Sequence, residues 1–186
     1  MEMKLLKLQS KLSKNDIYLP AEDTYFLEDY IKNEKGDSAL DIGTGSGYLT
    51  KSLSRSFRFV VATEVNFDAI RNQSNKPENL VCCNGADALT NQFDLIICNM
   101  PYLSSEEILD ISTDGGPEGV VIPLKIIKSA KNCLKPGGKF LFLTSSLSNH
   151  QKLVENTKKE GFNVKIIAKK KLFFEELILV EIRKSV

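Results

Sequence analysis

The short run Ser38–Ile42 leads into the turn Asp41-Ile-Gly43-Thr44-Gly45-Ser46-Gly47, after which a helical pattern occupies residues 48–55. Glycines at alternate positions let a backbone turn sharply and approach a ligand where a side chain would clash. A strand that breaks into such a turn and opens a helix confines the chain to α/β architectures. The next strand pattern, Arg58–Thr63, runs into Glu64. That is about the separation at which an acid reaches ribose hydroxyls in nucleotide-binding folds. The G-x-G-x-G spacing differs from the dinucleotide pattern G-x-G-x-x-G. A glycine turn can also be a plain strand-to-helix connection, but Asp41 and Glu64 together favour a binding loop.

The remaining pattern repeats the same alternation. Residues 23–32 place Phe26, Leu27, Tyr30 and Ile31 on one helical face, with Asp23 or Thr24 as N-cap. Phe67–Gln73 reads as a helix, and Leu80–Cys83 and Phe93–Cys98 as strands, the second a near-continuous apolar run suited to the middle of a parallel sheet. A helix over 123–134 starts at Pro123 and stops before the Lys135-Pro-Gly-Gly turn. Lys139–Thr144 is a further central strand, and residues 149–160 form a helix stopped by Gly161. The last strands, Asn163–Ala168 and Leu177–Ile182, are separated by too little sequence for a helical crossover, so they form an antiparallel edge pair. The expectation is one open α/β sheet with helices on both faces. It forms a single domain over 1–186, with residues 1–17 as an N-terminal extension.

Composition excludes several classes. The N-terminus MEMKLLKLQSKLSK is too often interrupted by Lys for a signal peptide, and no stretch has the apolar length of a membrane span. The chain is therefore expected to be cytoplasmic. Cys82, Cys83, Cys98 and Cys133 form no C-x-x-C pair, and His150 is the sole histidine, so no metal site is expected. Cys82 and Cys98 sit in apolar runs and read as small buried hydrophobes. His150 reads as a surface residue near a helix cap, and Lys169–Lys171 as a solvated turn. Phe173 and Phe174 are expected to pack at the sheet edge. The net charge of +1 conceals a segregation. From Pro77 to Leu124 there is no Lys or Arg, but there are eight acids: Glu78, Asp87, Asp94, Glu106, Glu107, Asp110, Asp114 and Glu118. Such a stretch repels phosphate backbones, which argues against direct nucleic-acid binding there, and suits a cationic ligand or a basic polypeptide.

Two further segments carry chemistry. Gly85-Ala-Asp87-Ala88-Leu follows the third strand, where Asp87 is either a ligand contact or a helix N-cap. Asn99-Met100-Pro101-Tyr102 directly follows the strand ending in Cys98. An amide or aniline-like nitrogen is a poor nucleophile because its lone pair is delocalised. The Asn99 side-chain oxygen and the carbonyl of Met100 could hold its two N–H bonds and aim the nitrogen at an electrophile. Pro101 biases Met100 toward an extended conformation, and Tyr102 offers a flat apolar wall. An ordinary turn is the plain alternative for NMPY.

DIGTGSG, GADAL and NMPY together resemble the HemK/PrmC group of class I S-adenosylmethionine-dependent glutamine N5-methyltransferases, whose hallmark is NPPY. Tyr18-Leu-Pro20-Ala21-Glu22-Asp23-Thr24 and Asp114-Gly115-Gly116-Pro117-Glu118-Gly119 resemble the short eukaryotic and archaeal branch, which lacks an N-terminal helical domain. The resemblance runs from about Tyr18 to the C-terminus. It implies a Rossmann-like, mostly parallel seven-stranded sheet. It also implies that S-adenosyl-L-methionine is lined by Thr24, Asp41, Gly43, Thr44, Gly45, Gly47, Glu64, Val65, Asp87, Ala88 and Asn99. Catalysis would fall to Asn99, Met100, Pro101 and Tyr102. The implied substrate is the GGQ glutamine of a translation termination (release) factor. The implied partner is a small zinc-binding activator covering the sheet edge near Leu80–Cys83. Met100 departs from NPPY but keeps the carbonyl the chemistry needs.

Three other functions use parts of the same logic. Methylation of an exocyclic amine on a nucleic-acid base needs a base-flipping pocket and a target-recognition region, and no spare domain is evident. Lysine methylation needs a deprotonated amine rather than an amide clamp. A cofactor-binding subunit without turnover would need no intact NMPY chemistry.

Overall fold

A computed structural model describes residues 17–74 and 76–184; residues 1–16, most of the expected N-terminal extension, lie outside the described part. In chain order the elements are α1 (Glu22–Ile31), β1 (Gly36–Ile42), α2 (Tyr48–Leu53), β2 (Phe57–Glu64), α3 (Phe67–Asn72), β3 (Leu80–Cys82) and β4 (Phe93–Asn99). Then follow β5 (Leu103–Ser104), β6 (Asp114–Gly116), α4 (Val121–Ala130), β7 (Leu134–Ser145), α5 (His150–Lys159), β8 (Phe162–Lys171) and β9 (Glu176–Lys184). Seven strands form one sheet in the order β3-β2-β1-β4-β7-β9-β8. The pairs from β3 to β7 are parallel, while β9 runs antiparallel to both β7 and β8. The mostly parallel sheet with an antiparallel C-terminal hairpin at its edge is the expected class I methyltransferase topology.

The chain alternates its buried side chains between two apolar layers. Leu27, Ile31, Leu49, Ile97, Leu143 and Tyr102 belong to the layer under α1 and α2. Ile96, Phe140, Phe142, Ile127 and Met100 belong to the layer under α4 and α5. Strand β4 is buried on both faces, as its continuous apolar run requires. Registry brings the carboxyl ends level: Ile42 lies beside Thr63 and Cys98, Glu64 beside Cys82, and Asn99 beside Leu143. Every motif singled out after a strand therefore opens onto the same rim, the place where open α/β sheets bind ligands.

Several local expectations are corrected. Helix α1 is capped at Ala21, not at Asp23 or Thr24; the Thr24 hydroxyl accepts instead from the Ala21 N–H at 3.3 Å. Tyr30 stays exposed on that helix. Helix α4 starts at Val121, two residues before Pro123. The Lys135-Pro-Gly-Gly segment is not a turn but the start of β7, where a register shift absorbs it. Lys169–Lys171 is the end of edge strand β8, paired with Glu176–Ile178, and Lys side chains suit such an edge. Cys82 is exposed because β3 is the opposite edge strand, while Cys98 and Cys133 are buried. No helix follows Asp87, so it is not an N-cap. His150 opens α5 half-buried, and its Nδ1 is buried without a hydrogen-bond partner among the described residues. Phe173 and Phe174 do not pack at the edge at all; they are 91% and 85% exposed. No helix among the described residues is long and apolar enough to cross a membrane.

Candidate active site

The glycine turn is held by its neighbours. The N–H groups of Gly43 and Thr44 both donate to the Thr63 carbonyl, at 2.9 and 3.0 Å. Gly43, Gly45 and Gly47 have φ of 71°, 51° and 81°, so the turn needs residues free to enter the left-handed region. A Cβ on Gly43 would stand in open space, so that side of the turn is uncovered. Glu64 closes the turn from the next strand. One carboxylate oxygen accepts from Gly45 N at 3.0 Å and the other from Asn66 N at 3.0 Å. Each oxygen keeps a lone pair for a further donor. Gln73 donates to the Gly45 carbonyl at 2.6 Å from the far side.

Asp41 lies beneath the turn, 1% exposed. Its carboxylate accepts from the Thr50 hydroxyl at 2.6 Å, and Thr44 and Thr50 hydroxyls are 2.7 Å apart. Burial pushes the carboxyl up to about 6, and the Glu64 charge adds to this against the two threonine hydrogen bonds. Val65, Asp87 and Ala88 stand exposed at the rim. The GADAL turn is fixed from behind by Ser129 of α4, whose hydroxyl accepts from Ala86 N at 3.0 Å.

At the end of β4 the side chains of NMPY diverge. Met100 is 2% exposed and enters the α4/α5 layer, whereas Tyr102 enters the α1/α2 layer. The residue that departs from NPPY thus anchors the turn by packing where proline would stiffen it. Asn99 Oδ1 is buried and has no hydrogen-bond partner among the described residues. A buried amide oxygen left unpaired costs free energy on the order of 1–3 kcal/mol, so it calls for a donor that the described residues do not supply.

The entry segment folds over this turn. The Tyr18 hydroxyl donates to Asp23 at 2.6 Å, and Asp23 also accepts from Thr24 N at 2.5 Å and the Thr24 hydroxyl at 3.2 Å. Burial first, then Asp23, pushes the Tyr18 phenol well above its ordinary value, with Asn99 acting the other way. Burial likewise raises Tyr102, and the charges of Asp23 and Glu175 raise it further. One Glu175 oxygen is buried without a partner among the described residues.

The Asp114–Gly119 segment props NMPY from outside. A Cβ on Gly115 would meet the Pro101 carbonyl at 2.7 Å, and one on Gly119 the Tyr102 carbonyl at 2.1 Å. Between them Glu118 holds a φ of 57°, unusual for a non-glycine residue. Its carbonyl accepts from Asn149 N at 2.8 Å, and its carboxylate accepts from the Asn149 amide and from Lys152.

Methyltransferase-domain sequences match residues 14–160 of this protein. A Methanocaldococcus jannaschii protein assigned as a protein N5-glutamine methyltransferase is 30% identical over 178 residues, 89% of this chain and 90% of that one. The chain belongs to the protein N5-glutamine methyltransferase family. A release factor glutamine methyltransferase of Bradyrhizobium diazoefficiens is 32% identical over 53% of this methyltransferase, which spans only 40% of that longer protein. Among solved structures, the Mtq2–Trm112 complex of E. cuniculi, responsible for methylation of the eRF1 termination factor, shares the fold. Its TM-score is 0.77 at 24% identity, over 91% of this chain and 99% of that one.

Within the methyltransferase the structure brings the glycine turn, Glu64, Val65, Asp87, Ala88, Asn99 and Thr24 to one rim, with Asp41 below it. Sequence reasoning missed three residues there. Asp23 and Tyr18 belong to the quoted entry motif, but helix patterning gave Asp23 only a capping role and Tyr18 none. Glu175 carries no local signal; only the hairpin brings it to Tyr102. The acidic stretch is less uniform than its sequence implies. Asp94 sits at the amino end of β4, ion-paired with Lys135 at 3.0 Å, and Asp110 and Asp114 staple their own loop. Glu106 and Glu107 remain exposed with no ion pair among the described residues.

Proposed function

We propose that this methyltransferase moves the methyl group of S-adenosyl-L-methionine to the side-chain amide nitrogen of the GGQ glutamine in a translation termination factor. The unpartnered, buried Asn99 oxygen beside the Met100 carbonyl carries the reading. A primary amide presents two N–H bonds and needs two acceptors, whereas a lysine amine needs a base. The names of the relatives support the same substrate.

The residues present fit the cofactor. The open side of Gly43 admits a ligand against bare backbone, and the free lone pairs of Glu64 can accept from ribose hydroxyls. Asp87 and Ala88 would contact the adenine, with Val65 beside it. Thr24, Asp41, Thr44, Gly45 and Gly47 would surround the amino-acid end. When bound, the cofactor supplies an electrophilic methyl on a sulfonium. Asn99 and the Met100 carbonyl hold the amide N–H bonds and tilt the nitrogen out of conjugation. Tyr102 walls the plane of the amide. As the C–N bond forms the nitrogen becomes acidic and its proton leaves to water, so no strong base is required.

The exposed edge of β3 is the proposed seat of a small activator protein, in line with the Mtq2–Trm112 pairing. That the activator binds zinc is implied by the family resemblance alone. The test is a labelled-methyl assay of the protein, with and without such a partner, on a GGQ-containing factor, tRNA and DNA. Label in the factor that Asn99→Ala abolishes supports the reading. Label only in nucleic acid contradicts it.

A further inference from the structure

Of the ten phenylalanines in the sequence, Phe26, Phe57, Phe93, Phe140, Phe142 and Phe162 are all buried, whereas Phe173 and Phe174 are the two most exposed large apolar side chains among the described residues. Their rings meet edge to face at 4.6 Å. Adjacent aromatics held out in water forfeit the burial that stabilises the rest of the fold, and such a patch marks an interaction site.

The tip that bears them is firmly built. Leu172 N donates to the Glu175 carbonyl at 2.8 Å, and Leu172 packs on the α1/α2 layer. Ser146 N donates to the Glu176 carbonyl at 2.9 Å, and Glu176 N returns a bond to the Ser146 hydroxyl at 2.9 Å. Lys170 pairs with Glu22 at the start of α1, and Lys169 with Glu176. The tip therefore stands fixed at the carboxyl ends of the strands. It is joined to the active site through Glu175, whose charge reaches Tyr102.

We propose that Phe173 and Phe174 form the docking site for the protein substrate, gripping an apolar patch on it while the target glutamine enters beside Tyr102. This rests on the polypeptide-substrate reading above. Charge selects the occupant. Lys169 and Lys170 are neutralised by Glu176 and Glu22, which leaves Lys171 at the tip against Glu175 and the buried Asp23, the two charges that reach Tyr102. The exposed Glu106 and Glu107 belong to the loop that follows NMPY. A phosphate backbone is repelled from this setting, and a polypeptide with basic residues around an apolar patch is attracted.

The test compares the wild-type protein, with its activator if activity needs one, against Phe173→Ser/Phe174→Ser and Phe173→Trp/Phe174→Trp. The substrates are the intact termination factor and a short peptide spanning its glutamine. For the serine pair, the KM for the factor should rise on the order of tenfold or more. Its kcat, cofactor affinity and transfer to the peptide should stay within twofold, and the tryptophan pair should restore the KM. An unchanged KM for the factor, or an equal loss on factor and peptide, overturns the inference. So does a wild-type dimer, seen by light scattering, that the serine pair dissociates, because the occupant is then a second copy. A wild-type protein that labels neither factor nor peptide overturns the functional reading, and this inference with it.

Discussion

Gly119 lies so close to Tyr102 that a Cβ at position 119 would stand 2.1 Å from the Tyr102 carbonyl oxygen and 2.6 Å from Ser148 Cβ. Its φ of 67° disfavours any other residue independently. The loop after β6 thus holds the NMPY backbone by contact, not by hydrogen bonds alone. Gly119→Ala should displace that backbone, lowering stability by about 2–4 kcal/mol and kcat at least tenfold. Cofactor affinity should fall less than threefold, because the contacts of position 119 fall on Tyr102 and Ser148 and not on the glycine turn or Glu64. Thermal unfolding and single-turnover kinetics measure the two effects separately.

Met100 predicts the opposite division. Its side chain is 2% exposed in the α4/α5 layer, so Met100→Ala should cost about 2–5 kcal/mol of stability. The carbonyl that the proposed amide clamp uses is kept. Below the lowered melting temperature, activity per folded molecule should remain within fivefold of wild type.

Glu64 bridges Gly45 and Asn66. Glu64→Gln keeps an acceptor for one of these N–H groups but aims an N–H₂ at the other, so the turn loses its closure. Cofactor affinity should fall ten- to a hundredfold, consistent with about 1.5–3 kcal/mol for a hydrogen bond to a charged group. Isothermal titration with S-adenosyl-L-methionine gives the value directly.

The Asp41 carboxyl, pushed up to about 6 by burial, makes stability depend on pH. The folded protein keeps this proton at pH values where the unfolded polypeptide, near 3.8, has lost it. Stability contributed by the protonated group is therefore complete below about pH 4 and is lost as pH rises toward 6, by on the order of 1–3 kcal/mol. A cationic ligand beside Asp41 favours the ionised form, so cofactor affinity should strengthen as pH rises through 6. Denaturant melts and binding titrations between about pH 4.5 and 7.5 should show both trends, and Asp41→Asn should flatten them.

Much of this fold was legible because parallel sheets leave strong marks. The continuous apolar run of β4 and the glycine turn after β1 each specify burial or backbone conformation locally. Residues whose roles depend on distant partners left no such mark. Lys135-Pro-Gly-Gly has the composition of a turn, but pairing with β4 draws it into β7 through a bulge. Asp23 reads as a helix cap, and only the return of Tyr18 over the rim shows it joined to the site. Phe173 and Phe174 look like edge-packing residues, but among the described residues nothing covers them at the hairpin tip. The acidic stretch pointed to the right rim for part of its length. Asp94, at the wrong end of β4, shows why charge counted along a sequence is not charge arranged in space.

The identity of the atom that receives the methyl group decides the function, so the most direct measurement is fragmentation mass spectrometry of a termination factor after incubation with the enzyme and S-adenosyl-L-methionine. A single added methyl on the side-chain nitrogen of the GGQ glutamine, absent with Asn99→Ala though that variant still binds the cofactor, is the predicted result. A methyl on lysine, or an unmodified factor alongside methylated tRNA or DNA, would contradict it.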